Sequence, residues 1–237
     1  MQRQCASSTA DHLRLDDVIP SALPSSPLPA PRLVARELAC RRGTRLLFKG
    51  LDLDVPAGRI VWLRGQNGRG KTSLLRLAAG LSSPEHGHVL IDGVPARTIT
   101  PERALVFIAH ANALKEDLSV SEALAFLLRL HGRASDGPTV RAALERLGLA
   151  GRRDAMVRTL SQGQRRRVAL ARLAVETAPS LWLLDEPFDA LDTDGVERVN
   201  GLLVEHAGRG GSVLLTSHLA LDAARLAPIE VDLDRYC

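Results

Sequence analysis

LSQGQRRRVALAR (Leu160–Arg172) and LWLLDEPFDALD (Leu181–Asp192) carry the reading of this 237-residue chain. In the second stretch the apolar run Leu181–Leu184 has the length of a buried strand, and Asp185 and Glu186 close it. Acids seldom end a buried strand without a cation to face. Adjacent side chains leaving a strand point in different directions, so the two carboxylates can divide their labour. Asp185 is expected to hold a magnesium ion, and Glu186 to accept the proton of an attacking water. In the first stretch Ser161 and Gln164 have the S-x-x-Q spacing of a capping box, which predicts a helix running through QRRRVALARLAV. A helix start built on the small residues Ser161 and Gly163 can approach an anion closely and offer it N–H groups and the positive end of the dipole.

An anion of the right kind is announced upstream. GQNGRGKT (Gly65–Thr72) follows the apolar run Arg59–Gly65 and opens a helical pattern that stops near Gly80. It matches G-x-x-x-x-G-K-[ST], the phosphate-binding loop. Gly65, Gln66, Asn67, Gly68, Arg69 and Gly70 can fold tightly, so that their N–H groups converge on a phosphate, with Ser73 just inside the helix. Lys71 supplies a point charge to the β- and γ-phosphates, and the Thr72 hydroxyl is placed to ligate magnesium. ATP and Mg²⁺ are the expected ligands.

Around these motifs the chain reads as mostly parallel α/β with a helical insertion, a P-loop NTPase order. Strands are predicted at Leu51–Val55, Arg59–Gly65, Val89–Asp92, Ala104–Ala109, Leu181–Asp185 and Val213–Thr216, followed by a short tail. Residues 111–160 are the helical part. Ser119 with Glu122 forms a capping box for the helix ending at Leu130, and Thr139 is expected to cap a helix ending near Gly148. The domain is expected from Arg32 to the C-terminus. Residues 1–31 are rich in Ser, Pro and Ala and read as a disordered tail or as a start assigned too early.

Composition excludes several functions. Arginines outnumber lysines, of which there are three (Lys49, Lys71 and Lys115), and the net charge is +4. The arginines are scattered among acids and aromatics are only 3%, so stacking platforms for single-stranded nucleic acid are not expected, and no nucleic-acid partner with them. Cys5, Cys40 and Cys237 have neither metal spacing nor the pairing of a secreted scaffold, which fits a reduced cytoplasmic setting. No apolar run approaches the eighteen or so residues of a membrane span, so any membrane role must come through a partner.

Leu160–Gln164 followed by the strand ending Asp185-Glu186-Pro187 resembles the ATP-binding cassette (ABC) ATPases. The resemblance implies an antiparallel β part near the N-terminus beside the mostly parallel sheet, and head-to-tail dimerisation: Ser161, Gly163 and Gln164 would meet the γ-phosphate held by a second copy, and Asp192 would lie in the loop coupling the two sites. His218 matches the switch histidine, in contact with the γ-phosphate and the water. Two positions depart from the usual pattern. His110 stands where most members have a Gln that reads magnesium and contacts the membrane partner. Arg42 stands near the position of the aromatic residue that stacks on adenine, and a guanidinium plane can take that place. His110 with Lys115 after it, together with RRRVALARL, LWLLDEPF and ALDTDGV, is similar to the haem-exporter branch, the ATPases of cytochrome c biogenesis. That likeness implies an ATPase peripheral to the cytoplasmic face of the bacterial inner membrane, working a membrane-spanning haem-exporter subunit without touching haem itself. The rival readings are another small ABC exporter, or a soluble ABC ATPase that remodels a protein complex.

Overall fold

The computed structural model describes residues 31–99 and 105–237; the expected tail, Pro31 apart, lies outside them. Two sheets form the frame. Strands β1 (Pro31–Arg42), β2 (Arg45–Pro56), β4 (His86–Ile91) and β5 (Val94–Pro95) make an antiparallel sheet in the order β2-β1-β4-β5. Strands β3 (Ile60–Arg64), β6 (Leu105–Ile108), β7 (Leu181–Leu184), β8 (Ser212–Thr216) and β9 (Ile229–Asp232) make a parallel sheet in the order β6-β7-β8-β3-β9. The fold is therefore the α/β arrangement expected, with its antiparallel part near the N-terminus.

The parallel strands are apolar on both faces because both are covered. In β7, Trp182 and Leu184 point into one core with helices α2 (Val120–Leu130), α3 (Gly137–Arg146), α4 (Gln162–Leu170) and α5 (Thr193–Gly208). Leu181 and Leu183 point into the other core, with α1 (Lys71–Ala78) and the antiparallel sheet. Ile60 and Trp62 alternate with Val61 and Leu63 in the same way along β3. Each such fully buried side chain contributes roughly 1.5–3 kcal/mol relative to exposure. Beneath β7 the Trp182 ring stacks on His206 with centroids 3.7 Å apart. Burial pushes the His206 imidazole down to about 4, so it stays neutral and donates from Nε2 to the Ser180 carbonyl at 2.8 Å.

Parallel strands release their chains at one edge, the usual place for a ligand. Three neighbours in the sheet, β7, β8 and β3, deliver Asp185-Glu186, Ser217-His218 and the phosphate loop to that edge.

Two expectations are corrected. The cap of α3 is Asp136, whose carboxylate accepts the Thr139 N–H at 3.0 Å and the Thr139 hydroxyl at 2.8 Å. Thr139 is thus inside the first turn, behind Pro138, whose fixed φ suits that position. The stretch read as a short tail holds β9, paired with β3 through Val61–Ile229 and Leu63–Val231, and a final 3-10 turn, Leu233–Tyr236. A last short helix, α6 (Ala223–Leu226), precedes it. Among the described residues no helix is long and apolar enough to cross a membrane.

Candidate functional site

Helix α1 differs from the other five in its first turn. Ser119, Asp136, Ser161, Asp192 and Asp222 each cap their helix with a side-chain acceptor, whereas α1 starts at Gly70 with no side-chain cap. Gly70 sits at φ 103°, a left-handed conformation that a side chain would oppose. The first-turn N–H groups of α1 are thereby left open toward a cleft, at the positive end of the helix. The Lys71 ammonium lies across the loop and donates to the Gly65 carbonyl at 2.6 Å.

Opposite the loop a short network fixes the two acids. Asp185 is 2% exposed, and its carboxylate accepts from the Thr72 hydroxyl at 2.9 Å and the Thr216 hydroxyl at 3.0 Å. Thr216 in turn accepts the Glu186 N–H at 2.9 Å. Glu186 has φ 50°, left-handed and costly for a side chain of this size, which turns its carboxylate away from that of Asp185. That carboxylate accepts the His218 N–H at 2.9 Å, and the His218 Nε2 lies 3.4 Å from its other oxygen. Adjacent acids thus face a threonine pair and a histidine respectively.

The cleft gathers Arg42, Gln66, Asn67, Gly68, Gly70, Lys71, Thr72, Ser73, His110, Asp185, Glu186 and His218 around one space. Two members of the loop turn elsewhere. Arg69 pairs with Asp234 at 3.2 Å, and Gly65 backs against Leu233, because the C-terminal turn closes that flank. Ser161, Gly163, Gln164 and Asp192 are not in this cleft. They line a second one, with Gly148, Arg152, Arg167 and Ala190, and the two clefts share no residue.

The second cleft is tied together within the chain. Ser161 Oγ accepts the Gln164 N–H at 3.2 Å and Gln164 Oε1 accepts the Ser161 N–H at 3.1 Å, a complete capping box. The Ser161 hydroxyl keeps its own proton to donate. A Cβ on Gly163 would stand 2.3 Å from the Ala190 carbonyl oxygen, so the glycine is required by the approach of the loop after β7. Asp192 caps α5 through the Gly195 N–H at 2.8 Å and pairs with Arg167, which also reaches Asp194 at 3.2 Å.

Three polar residues of this region were not singled out from sequence. Asp189 lines the first cleft. Asp234 accepts the Gln66 N–H at 3.1 Å from 168 residues away. Arg166, 2% exposed, sits inside the run QRRR. The available signal was helical phase, since Arg166 shares the buried side of α4 with Val168, Ala169 and Leu170.

Amides left open for an anion, with hard oxygen donors hydrogen-bonded beside them, place the molecule among the P-loop nucleoside triphosphatases. The second cleft narrows the class further. The chain belongs to the ABC transporter family, whose profile matches residues 48–189. It is 44% identical over 212 residues to the cytochrome c biogenesis ATP-binding export protein CcmA of Pseudomonas savastanoi pv. phaseolicola, spanning 88% of this chain and 99% of that protein. The protein of the same description from Xanthomonas campestris pv. campestris is 48% identical over 194 residues, 81% of this chain and 89% of its own length. Among solved structures, an ABC transporter ATP-binding protein from Pyrococcus furiosus aligns with a TM-score of 0.74 at 25% identity, spanning 86% of this chain and 98% of that one. The chain is an ATP-binding, ATP-hydrolysing subunit of the ABC type.

Proposed function

We propose that this subunit powers an exporter of cytochrome c biogenesis, closing head to tail with a second copy on ATP and driving a membrane-spanning haem-exporter subunit from the cytoplasmic face of the inner membrane. The observation that carries the specific reading is the likeness to the Pseudomonas protein, which extends over nearly that protein's whole length. The division of polar residues into two clefts with no member in common supports the dimer. One cleft has carboxylates and a lysine. The other has a capped helix start, and its one carboxylate, Asp192, is paired with Arg167. Each becomes a full site only against the complementary half of another copy.

Within the first cleft the geometry supports a role for each residue. Lys71, now held by the Gly65 carbonyl, is within the loop that would receive the β- and γ-phosphates and can exchange that acceptor for a phosphate oxygen. Thr72 and Asp185 present oxygen donors 2.9 Å apart, a hard pair that suits Mg²⁺; these residues would hold the ion, which when bound supplies charge neutralisation to phosphate oxygens. Glu186 accepts the proton of the attacking water, and its contact with the His218 N–H holds the carboxylate in place. His218 is more than half exposed toward the cleft and can orient the water or a γ-phosphate oxygen. Arg42 and Leu47 offer a stacking plane and an apolar wall for the base.

The function is tested by deleting the gene in the source bacterium and staining membrane proteins for covalently bound haem. Loss of c-type cytochromes, restored by the wild-type chain but not by Lys71→Ala, is the expected result. Retention of c-type cytochromes together with failed export of another solute would assign the subunit to a different small exporter.

A further inference from the structure

Among the described residues Arg166 is the least solvent-exposed arginine or lysine, at 2%. A buried guanidinium normally faces a carboxylate, yet this one has no ion pair. Its acceptors are main-chain oxygens and one amide. Nη1 donates to the carbonyls of Ala109 at 2.8 Å and His110 at 3.3 Å, and to Asn112 Oδ1 at 3.1 Å. Nη2 donates to the carbonyls of Asp185 at 2.6 Å and Glu186 at 2.9 Å. Those carbonyls belong to the chain just as it leaves β6 and β7, where the parallel ladder ends; the Glu186 carbonyl also accepts the Asp189 N–H at 3.2 Å. Burial pushes the guanidinium's pKa down, while Asp185, Asp189 and Glu186 push it back, in that order.

The arrangement joins three functional pieces. Arg166 is five residues into the segment opened by Ser161, on the helix that lines the second cleft. One arm of its fork holds the His110 loop and the other holds the Asp185-Glu186 peptide. Glu186 needs such a hold, since its φ of 50° is left-handed and its peptide is pinned from both sides, by Thr216 on the N–H and by Arg166 on the carbonyl. A rigid planar fork can bridge two strands at once; the single ammonium of a lysine cannot.

We infer that Arg166 is a positioning residue through which α4, engaged at its start by the nucleotide of a second copy, sets the backbone of Glu186 and so licenses hydrolysis in the chain's own cleft. This rests on the reading of Glu186 as the general base and of the dimer as head to tail.

The test uses Arg166→Lys and Arg166→Gln in the full chain, with steady-state phosphate release, titration of a fluorescent ATP analogue and thermal melting. Displacement of a base by about 1 Å costs on the order of a hundredfold. The expected result is a kcat lower by between about tenfold and a hundredfold in both variants, with analogue affinity within about threefold of wild type. Placed in the Glu186→Gln background, both variants should still dimerise on ATP, because the α4 half-site itself is intact. A kcat unchanged in Arg166→Lys overturns the inference. So does a parallel fall in kcat, affinity and melting temperature, the pattern of a purely structural residue. Glu186→Gln alone is measured alongside. If that variant still turns over, the general-base reading has failed; if it is inactive while Arg166→Lys is normal, the link through Arg166 alone has failed.

Discussion

The two clefts are both built at the start of a helix, yet they are chemically opposite. At α1 the helix is uncapped, its amides are open, and a lysine and two strand-end acids stand against them. At α4 the capping box takes up the Ser161 and Gln164 N–H groups, and the neighbouring charges, Arg167 with Asp192 and Asp194, are closed on one another. The first can bind a triphosphate and deprotonate water. The second can donate a hydroxyl proton and a helix dipole, but its one carboxylate, Asp192, is taken up by Arg167. On the proposed function, the difference teaches that the chain carries one catalytic half and one gripping half, each to be completed by a second copy.

Variants in the two halves should therefore fail differently. The largest effect is expected from Glu186→Gln, which removes the base: phosphate release should fall by about 10²–10⁴-fold, with ATP binding retained. Ser161→Arg should lower turnover by about a hundredfold, because a bulky cation at the positive end of α4 keeps a second copy at a distance. Binding of a fluorescent ATP analogue by the single chain should be unchanged, which is what separates the two clefts. Gly163→Ala forces a methyl group against the Ala190 carbonyl and is expected to cost about 1–3 kcal/mol in thermal or denaturant stability. Turnover should fall more than analogue affinity does, since the displaced loop leads to Asp192.

The smallest effect is expected at Asp234→Ala. It removes a hydrogen bond to the Gln66 N–H, worth about 1 kcal/mol, and should weaken ATP binding by roughly fivefold. Loss of a negative charge beside a phosphate site works the other way, but Arg69 already pairs with that carboxylate, so the hydrogen bond should decide the sign. An analogue titration that tightens in Asp234→Ala would reverse that judgement.

What could be read in the sequence was local. The phosphate loop, both S-x-x-[EQ] capping boxes and the strand closing in Asp185 involve residues adjacent or three apart, and the chemistry of each is contained in its own few positions. Even so, the cap expected at Thr139 falls to Asp136, because the Asp136 carboxylate reaches the amide three residues on, past a proline that fits the first turn. Arg166, Asp189 and Asp234 were not legible for the converse reason. Arg166 meets its acceptors 19 to 57 residues away, and Asp234 meets the phosphate loop across 168. Within the run of three arginines only helical phase, three and four residues before Ala169 and Leu170, marks Arg166 as the inward one; what it meets there depends on the sheet packed beneath α4. The β9 strand was missed because its four residues are partly exposed and follow a turn, so neither length nor apolarity marks them.

The central claim, that one chain carries halves of two different ATP sites, is tested most directly by measuring molecular mass in solution with and without ATP for Glu186→Gln and for Glu186→Gln combined with Ser161→Arg. The account predicts an ATP-dependent dimer for the first and an ATP-bound monomer for the second. An ATP-dependent dimer formed equally well by both would contradict it.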